Sequence, residues 1–505
     1  MSHSTLFATV LATGIADEFT ELQPQLEKLS QRINQVVLTF LANPVTPSAV
    51  HQFERLLETL LRDVGREIVE FAYNRVEPSD PEQMPRRIEV DGQQYRRRER
   101  TPRRGGVATV FGVITLVRFL YEPLRTDDQQ GERIGSIHPL EWNLGIVAGR
   151  ATPALAERTG ELAAGHTQSE TLRQLQQRHA VRWTVSVLRK VVAAVSAGIE
   201  AALHDAQKAR LLSWLRQADG SRGRRKIVFA TGRDGIMLPI QGESHCKEGA
   251  VGTLAVFDRR GRRLGTVYLG QIPEAYQTTL SENLTRLITD VLAEWDGPAP
   301  RLVYITDAGS HPTQYFQDVL SSMDDPRRPG RHLEWTWVVD FYHASEYVWK
   351  LGRALFGETA MGRSWSRRML HRLKHQANAV YGLLHSAARF RADGNLSAKQ
   401  EEEYRKAYNY LKNHGSHMDY VTYRRQGLPI GSGITEAACK TVFTQRFKAS
   451  GMSWKYKSGQ QVLILRLALL SGVWRQTVRS WLKSRRTLNY TTQPANRTRT
   501  FNIAA

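Results

Sequence analysis

The sequence predicts an α/β domain that is interrupted by an all-helical segment and preceded by a mainly helical region. Beyond residue 222, short apolar strands alternate with an amphipathic helix, which is the pattern of a mixed α/β sheet domain. Residues 355–425 have helical periodicity throughout and carry many basic side chains. Leucine, isoleucine and valine recur at helical spacing over the first 75 or so residues. With 505 residues, the chain is long enough for about three domains.

Breaks in these patterns divide the chain into seven segments. They are an N-terminal helical region (1–80), a basic linker with a small β region (81–137), a helical region (138–221), the first part of the α/β core (222–354), the helical insertion (355–425), the last part of the core (426–484) and a tail predicted to be disordered (485–505).

The charge of the chain favours binding to a polyanion. Lys and Arg number 70 against 49 Asp and Glu, a formal net charge of +21, so nucleic acid is the first expected partner. No run of apolar residues approaches the roughly 18 to 20 that a membrane span needs, so we expect no membrane association. Two cysteines are too few for a disulfide framework or a zinc cluster, which fits a reducing cytoplasm. The apolar segment "TLFATVLATGIA" is a poor secretion signal and a better first helix.

Two consecutive helices are predicted in "SETLRQLQQRHAVRWTVSVLRKVVAAVSAGI", with Ser169 and Thr184 as N-caps. A helix-turn-helix motif would place the second of them in the major groove of DNA. Two helices of an ordinary bundle have the same periodicity, so both interpretations stay open.

The α/β region has a definite order: three strands, a helix, a strand, a short helix, a strand, the helical insertion and a last helix. "RKIVFATGRDGIMLPI" is the first strand, and "GAVGTLAVFDRRGRRLGTVYLG" contains two more around a basic turn. "TTLSENLTRLITDVLAEW" is an amphipathic helix. "RLVYITDAG" and "EWTWVVDFYHASEYVWKL" each begin with a strand, the first of them apolar enough to be buried on both faces.

Three acids hold special places in this order, and each has a simple structural explanation. Asp234 lies within the first strand, but Asp-Gly between apolar runs also signals a hairpin turn. Asp307 ends the fourth strand, where it could cap the following helix. Glu436 opens the helix after the insertion and precedes Lys440 by four residues, the spacing of a helical ion pair.

Taken together, the three acids indicate a cation site. At about 100° per residue, Glu436, Lys440, Phe443 and Phe447 lie along one side of their helix, where a carboxylate among aromatic rings needs a positive partner. A divalent cation held by Asp234 and Asp307 would be that partner. Three carboxylates with open positions suit Mg²⁺, with Mn²⁺ as a substitute.

The segments "RDGIML", "ITDAGSHP", "VVDFYHASEYVWKL", "LPIGSGITEAACK" and "RFKASGMSWKY" together resemble those of bacterial insertion-sequence DDE transposases of the ISKra type. The resemblance covers roughly residues 140–475. It implies an RNase H-like catalytic domain with a mixed sheet in the order 3-2-1-4-5, a catalytic and metal-binding triad of Asp234, Asp307 and Glu436, and two Mg²⁺ ions. It also implies binding to the terminal inverted repeats and target DNA, and a homodimer or larger assembly on DNA near the bacterial nucleoid.

Two further residues follow the fifth predicted strand, in "DFYHA". Asp340 could be a helix N-cap with His343 in the first turn. The alternative gives Asp340 or His343 a supporting role at the cation site.

The predicted DNA contacts are basic and aromatic residues near the triad and in the arginine-rich run "RRRERTPRR". They are Lys440, Arg446, Lys448, Trp454, Lys455, Arg97, Arg98, Arg103 and Arg104, and Trp365 is a further candidate for base stacking. The alternatives are a solvated loop for the arginine run and core positions for the two tryptophans, since tryptophan is more often a core residue. Two rival functions remain: a transposase-derived regulator without catalysis, and a metal-dependent nuclease that never joins strands.

Overall fold

A computed structural model describes residues 23–78, 80–90, 92–98, 101–124, 135–431, 433–485 and 488. The predicted first helix in residues 5–16 and nearly all of the predicted tail lie outside these ranges. The chain divides into two compact units, residues 1–195 with 480–505 and residues 196–479. The boundaries therefore fall within two helices, Val185–Asp219 and Trp474–Ser484.

The first unit contains two long helices followed by short strands and further helices. Its elements are α1 (Gln23–Ala42), α2 (Pro47–Asn74), β1 (Arg87–Val90), β2 (Gln93–Arg97), β3 (Arg103–Thr109), β4 (Gly112–Arg118), β5 (Tyr121–Pro123), α3 (Pro139–Asn143), α4 (Pro153–Gly165), α5 (Gln168–His179) and the start of α6 (Val185–Asp219). Strands β1, β2 and β5 form one antiparallel sheet, and β3 pairs with β4 in a separate hairpin.

The predicted pair of helices at 169–199 is present as α5 and α6. Thr184 accepts a hydrogen bond from the backbone N–H of Val187, which confirms it as a cap. The cap of α5 is Thr167, whose hydroxyl accepts from the N–H of Glu170; the prediction of Ser169 was wrong by two residues. Helix α6 has 35 residues, so it extends far beyond the segment that the sequence pattern assigned to it.

The second unit is built on a five-stranded mixed sheet. Its strands are β6 (Val228–Leu238), β7 (Lys247–Phe257), β8 (Arg263–Gln271), β9 (Arg301–Thr306) and β10 (Trp335–Val339). Their order is β8-β7-β6-β9-β10, with β6, β7 and β8 antiparallel and β6, β9 and β10 parallel. This confirms the expected order 3-2-1-4-5.

Two helices complete the first part of this unit. Helix α7 (Thr278–Glu294) follows β8, and α8 (Ser310–Asp318) follows β9. The stripe of α7 that the sequence predicted is buried in full: Leu280, Leu284, Leu287, Ile288 and Val291. Burial of this stripe against the sheet is what holds α7 in place, because side chains of this size each contribute about 1.5–3 kcal/mol when removed from water.

The insertion is wholly helical, as predicted. Helix α9 (Phe341–Phe356) leads into α10 (Ala360–His375), α11 (Ala379–Ala392), α12 (Ala398–His414) and α13 (Tyr420–Arg425). Buried residues of these helices, such as Leu351, Trp365 and Leu411, belong to the same hydrophobic core as the sheet. The insertion is therefore packed onto the α/β domain and shares its core.

The chain then returns to the sheet through a helix that changes type. It begins as α14 (Gly433–Ala438), continues as a π-helix (Cys439–Thr444) and ends as the short α15 (Gln445–Phe447); α16 (Tyr456–Leu470) and α17 (Trp474–Ser484) follow. Within the described ranges, every helix is too short or too polar to span a lipid bilayer.

Candidate functional site

Asp234 and Asp307 lie at the same level of two neighbouring parallel strands. Strands β6 and β9 pair with each other as far as Thr231 and Tyr304. Asp234 follows Thr231 by three positions, and Asp307 follows Tyr304 by three positions. Strand β9 ends at Thr306, while β6 continues and keeps Asp234 paired with Val251 of β7. Asp234 is therefore not a hairpin turn residue, and the strand order brings the two predicted acids to one edge of the sheet.

The carboxylate of Asp234 is held on both oxygens. Its Oδ1 accepts from the N–H of Gly235 at 2.7 Å, and its Oδ2 accepts from Sγ of Cys439 at 3.2 Å. Burial raises the pKa of Asp234 from 3.8 to about 6, and the charges of Asp307 and Glu248 add to this rise while the two hydrogen bonds oppose it. Asp234 is thus costly to ionise unless a cation approaches it.

Asp307 occupies a tight turn between β9 and α8. Its Oδ1 accepts from the N–H of Gly309 at 2.9 Å, and Ala308 between them has a left-handed φ of 61°. The N-cap of α8 is Gly309, so Asp307 stabilises the turn before the helix without being its cap. This conformation is unfavourable for a residue with a Cβ, so the hydrogen bond to the Asp307 carboxylate helps to hold the turn.

Both aspartates line one small cavity of about 230 Å³. The other lining residues are Gly235, Glu248, Gly309, Ser310, His311 and Pro312. Sequence reasoning missed Glu248 and His311, whose Oε2 and Nε2 atoms lie 3.6 Å apart. A Cβ on Gly235 would lie 1.8 Å from Oε1 of Glu248, so the glycine leaves the space that this carboxylate occupies.

The helix that carries Glu436 packs against the strand of Asp234. Thr435 is buried, and its Oγ1 is 2.9 Å from Oγ1 of Thr253 on β7. A Cβ on Gly232 of β6 would lie 2.2 Å from Oγ1 of Thr435, so this close approach requires glycine. Glu436 itself is exposed and does not line the cavity.

The prediction that Glu436 lies on a core-facing stripe with Phe443 and Phe447 was therefore wrong. Both phenylalanines are fully buried, while Glu436 and Lys440 face solvent. The π-helix at Cys439–Thr444 is the reason, because its wider turns change the angular relation between the residues before and after it.

Two residues that the sequence did not single out support this helix. Cys439, the first residue of the π-helix, contacts Asp234 as described above. Arg466 of α16 is buried, and its Nε donates to the carbonyl of Val442 at 2.8 Å and to that of Thr441 at 2.9 Å. A π-helix shifts its internal hydrogen bonds by one residue, and these contacts satisfy carbonyls at that irregularity.

Of the two alternatives for Asp340 and His343, a helix cap or a supporting role at the cation site, the structure shows the first. Asp340 is buried and is the N-cap of α9, with its Oδ1 accepting from the N–H of Tyr342 and of His343. The ring of His343 contacts those of Tyr347 and Tyr410 edge-on. Neither residue lines the cavity of Asp234 and Asp307.

Some of the predicted DNA contacts are exposed and others are not. Lys440, Lys448, Lys455, Arg98, Arg103 and Arg104 face solvent. Arg98 forms an ion pair with Glu122 at 2.9 Å.

The prediction that Arg446 and Trp454 contact DNA does not fit the structure, because both side chains are buried. The guanidinium of Arg446 stacks on the ring of Trp454 at 4.9 Å. Burial lowers the pKa of Arg446 to about 10, with the charge of Arg466 adding to the effect. Trp454 donates from Nε1 to the carbonyl of Phe447, so its polar atom is already used. Trp365 is likewise in the core, and Arg97 donates to the backbone carbonyls of Pro81 and Met84.

The carboxylates of Asp234 and Asp307 fit a divalent cation. They supply only oxygen ligands, they repel each other, and each keeps one oxygen oriented by a backbone N–H. Within the described ranges, however, no three Asp, Glu, His or Cys side chains are already close enough to share one ion. Glu436 is therefore not grouped with the two aspartates in this arrangement.

Comparison of this chain with protein-family models and with curated proteins finds no match to either.

Proposed function

We propose that this chain is a DDE transposase, which binds the ends of an insertion sequence and catalyses metal-dependent cleavage and transfer of DNA strands. One observation carries the proposal: Asp234 and Asp307 each lie three residues beyond the point where the parallel strands β6 and β9 stop pairing, and both line one small cavity. The strand order 3-2-1-4-5 and the helical insertion before the last acid are what an RNase H-like DDE enzyme would have. The excess of basic residues supports a nucleic-acid substrate.

Asp234 and Asp307 would hold Mg²⁺ together with Glu436, which lies on the helix packed beside Asp234. When bound, Mg²⁺ supplies activation of a water or 3′-hydroxyl and stabilisation of the leaving oxygen in phosphoryl transfer. The residues of the chain orient the two aspartates through the N–H groups of Gly235 and Gly309. Lys440, on the same helical segment as Glu436, and Lys448, directly after the end of that segment, are exposed and available to DNA phosphates.

A non-catalytic DNA-binding regulator is the second candidate, and one observation favours it. Glu436 is exposed and lies outside the cavity, as a dispensable acid would. A nuclease that hydrolyses DNA without joining strands would use the same aspartates with water as the nucleophile.

The test is cleavage of labelled DNA from the flanks of the gene, in Mg²⁺ or in EDTA, with a target plasmid present. The variants are Asp307→Asn and Glu436→Ala, and Glu334→Ala is the matched control because Glu334 is exposed and precedes β10 at the opposite end of the parallel strands. We expect Mg²⁺-dependent cutting and joined products with wild type and Glu334→Ala, and neither with the other two variants.

Each other outcome selects a different conclusion. Equal cutting by Glu436→Ala and wild type would remove Glu436 from the triad. Cutting without joined products would favour the nuclease. Tight DNA binding by wild type without any cutting would favour the regulator.

A further inference from the structure

A tyrosine of the helical insertion reaches the backbone of Asp307. Tyr410 lies near the end of α12, and its hydroxyl donates a hydrogen bond to the carbonyl oxygen of Asp307 at 2.8 Å. The two residues are 103 positions apart in the chain. This bond therefore joins the insertion directly to the turn that carries the aspartate.

The direction of the Tyr410 hydroxyl is fixed by aromatic packing. Its ring is stacked on that of Tyr347 of α9, with 3.7 Å between the centroids and an interplanar angle of 8°. The ring of His343 packs edge-on against both tyrosines. Two rings of α9 thus hold the phenol of Tyr410 in a single orientation.

The turn at Asp307 needs such support. Ala308 has a left-handed φ of 61°, a conformation that is unfavourable for a residue with a Cβ. The N–H of Ala308 donates to Oγ1 of Thr306, and the N–H of Gly309 donates to the carboxylate of Asp307. Tyr410 adds a third hydrogen bond to this turn, at the carbonyl of Asp307.

Other tyrosines of the insertion make similar bonds that do not reach the site. Tyr420 donates to the carbonyl of Val339, and Tyr423 donates to that of Trp337. Both of these acceptors lie on β10.

We propose that Tyr410 is a positioning residue for Asp307: its hydroxyl sets the backbone turn from which the carboxylate reaches the cation, and it makes the helical insertion a part of the site. This inference rests on the proposed function, in that Asp307 is a cation ligand. Loss of the hydroxyl removes one hydrogen bond, which predicts a decrease in cation affinity of roughly three- to ten-fold.

The test compares Tyr410→Phe with Tyr423→Phe in the full chain. Both changes remove one phenol that donates to a backbone carbonyl, and both keep the ring, but only Tyr410 contacts the turn of Asp307. Mn²⁺ affinity is measured by titration with detection of free Mn²⁺ by electron paramagnetic resonance. Binding that persists in Asp307→Asn is subtracted, so that only the site is measured. Thermal unfolding in EDTA and DNA affinity are measured in parallel.

We expect weaker Mn²⁺ binding in Tyr410→Phe, with Tyr423→Phe and wild type equal and with DNA affinity the same in all three. Mn²⁺ affinity of Tyr410→Phe equal to wild type would overturn the inference, as would an equal loss in both variants, because that would reflect general destabilisation. If wild type binds Mn²⁺ at Asp307 but cuts no DNA, the proposed function fails while the Mn²⁺ comparison still decides the role of Tyr410. If wild type binds no Mn²⁺ at Asp307, both proposals fail.

Discussion

The thiol of Cys439 donates a hydrogen bond to Oδ2 of Asp234 across 3.2 Å, from the first residue of a π-helix to the middle of a strand. A thiol is a weak donor, and this one is buried. Burial raises the pKa of Cys439, and the neighbouring charge of Asp234 raises it further, so the group stays a protonated donor at neutral pH. The cysteine thus partly offsets the unfavourable environment of the aspartate.

We expect Cys439→Ala to raise the pKa of Asp234 above about 6, since the thiol hydrogen bond is one of the interactions that lower it. Cys439→Ser retains a donor and should leave that pKa close to the wild-type value. The pKa is measured from the carboxyl signal of Asp234 during a pH titration by ¹³C NMR in EDTA. An unchanged titration in the alanine variant would show that the thiol does not act on the carboxylate.

Asp234 should destabilise the folded protein at neutral pH. Its folded pKa of about 6 exceeds the ordinary value of 3.8, so below pH 3.8 the carboxyl is protonated in both the folded and unfolded states. As the pH rises toward 6 the unfolded state releases the proton first, and stability is lost. We therefore expect Asp234→Asn to be more stable than wild type by about 1–3 kcal/mol at pH 8, with the difference approaching zero below about pH 3.

The measurement is denaturant unfolding in EDTA at several pH values. Asp318→Asn, at an exposed aspartate on α8, is the control for removal of one charge from the surface. Addition of Mg²⁺ should stabilise wild type and not Asp234→Asn, because only the former keeps both carboxylates. A stability difference that does not change with pH would contradict the raised pKa.

Gly232→Ala should disrupt the packing of the Glu436 helix on the sheet. The added Cβ would lie 2.2 Å from Oγ1 of Thr435 and 2.7 Å from the carbonyl oxygen of Ile305, and the backbone atom cannot easily move aside. We expect a loss of about 1–3 kcal/mol in the free energy of unfolding and a greater loss of DNA cleavage than of DNA binding. Gly433→Ala is the control, because its Cβ would have no neighbour within 4 Å.

Exposed and buried basic residues should differ in their effect on DNA binding. Lys448→Ala and Lys455→Ala should each weaken DNA binding. Each should also reduce the slope of log affinity against log salt concentration by about 1, the value expected for the loss of one phosphate contact. Arg446→Met should instead lower stability and leave the salt dependence unchanged, because the guanidinium is packed against Trp454 in the core. The measurement is DNA affinity at several salt concentrations together with thermal unfolding; an equal change in salt dependence for all three variants would contradict the distinction.

Periodicity predicted those parts of the fold that depend on local pattern. The buried stripe of α7 could be read from the spacing of Leu280, Leu284 and Leu287, because a helix buries residues three and four apart. The helical insertion and each strand of the central sheet were found in the same way. The pairing of β6 with β9 could not be derived from spacing, since the two strands are joined only through other elements; it was expected from the resemblance alone.

The parts of the site that escaped prediction depend on long-range contacts or on irregular backbone. Glu248 joins Asp234 because β7 folds back on β6, and Tyr410 joins Asp307 from the far end of the insertion. The stripe assigned to Glu436 assumed a regular α-helix, and the π-helix at Cys439–Thr444 invalidated that assumption. Arg446 and Trp454 were predicted to contact DNA because an arginine can bind phosphate and a tryptophan can stack on a base. In the structure they pack against each other.

The π-helix makes the length of this segment as important as its composition. Deletion of one residue from Cys439–Thr444 would allow the segment to form a continuous α-helix. Glu436 and Phe447 would then be ten residues apart instead of eleven, about 280° around the helix axis, so the carboxylate would still not share a side with the buried ring. A regular α-helix with the present number of residues would instead turn Glu436 towards the two buried rings, so the extra residue that the π-helix accommodates is what keeps the carboxylate in solvent.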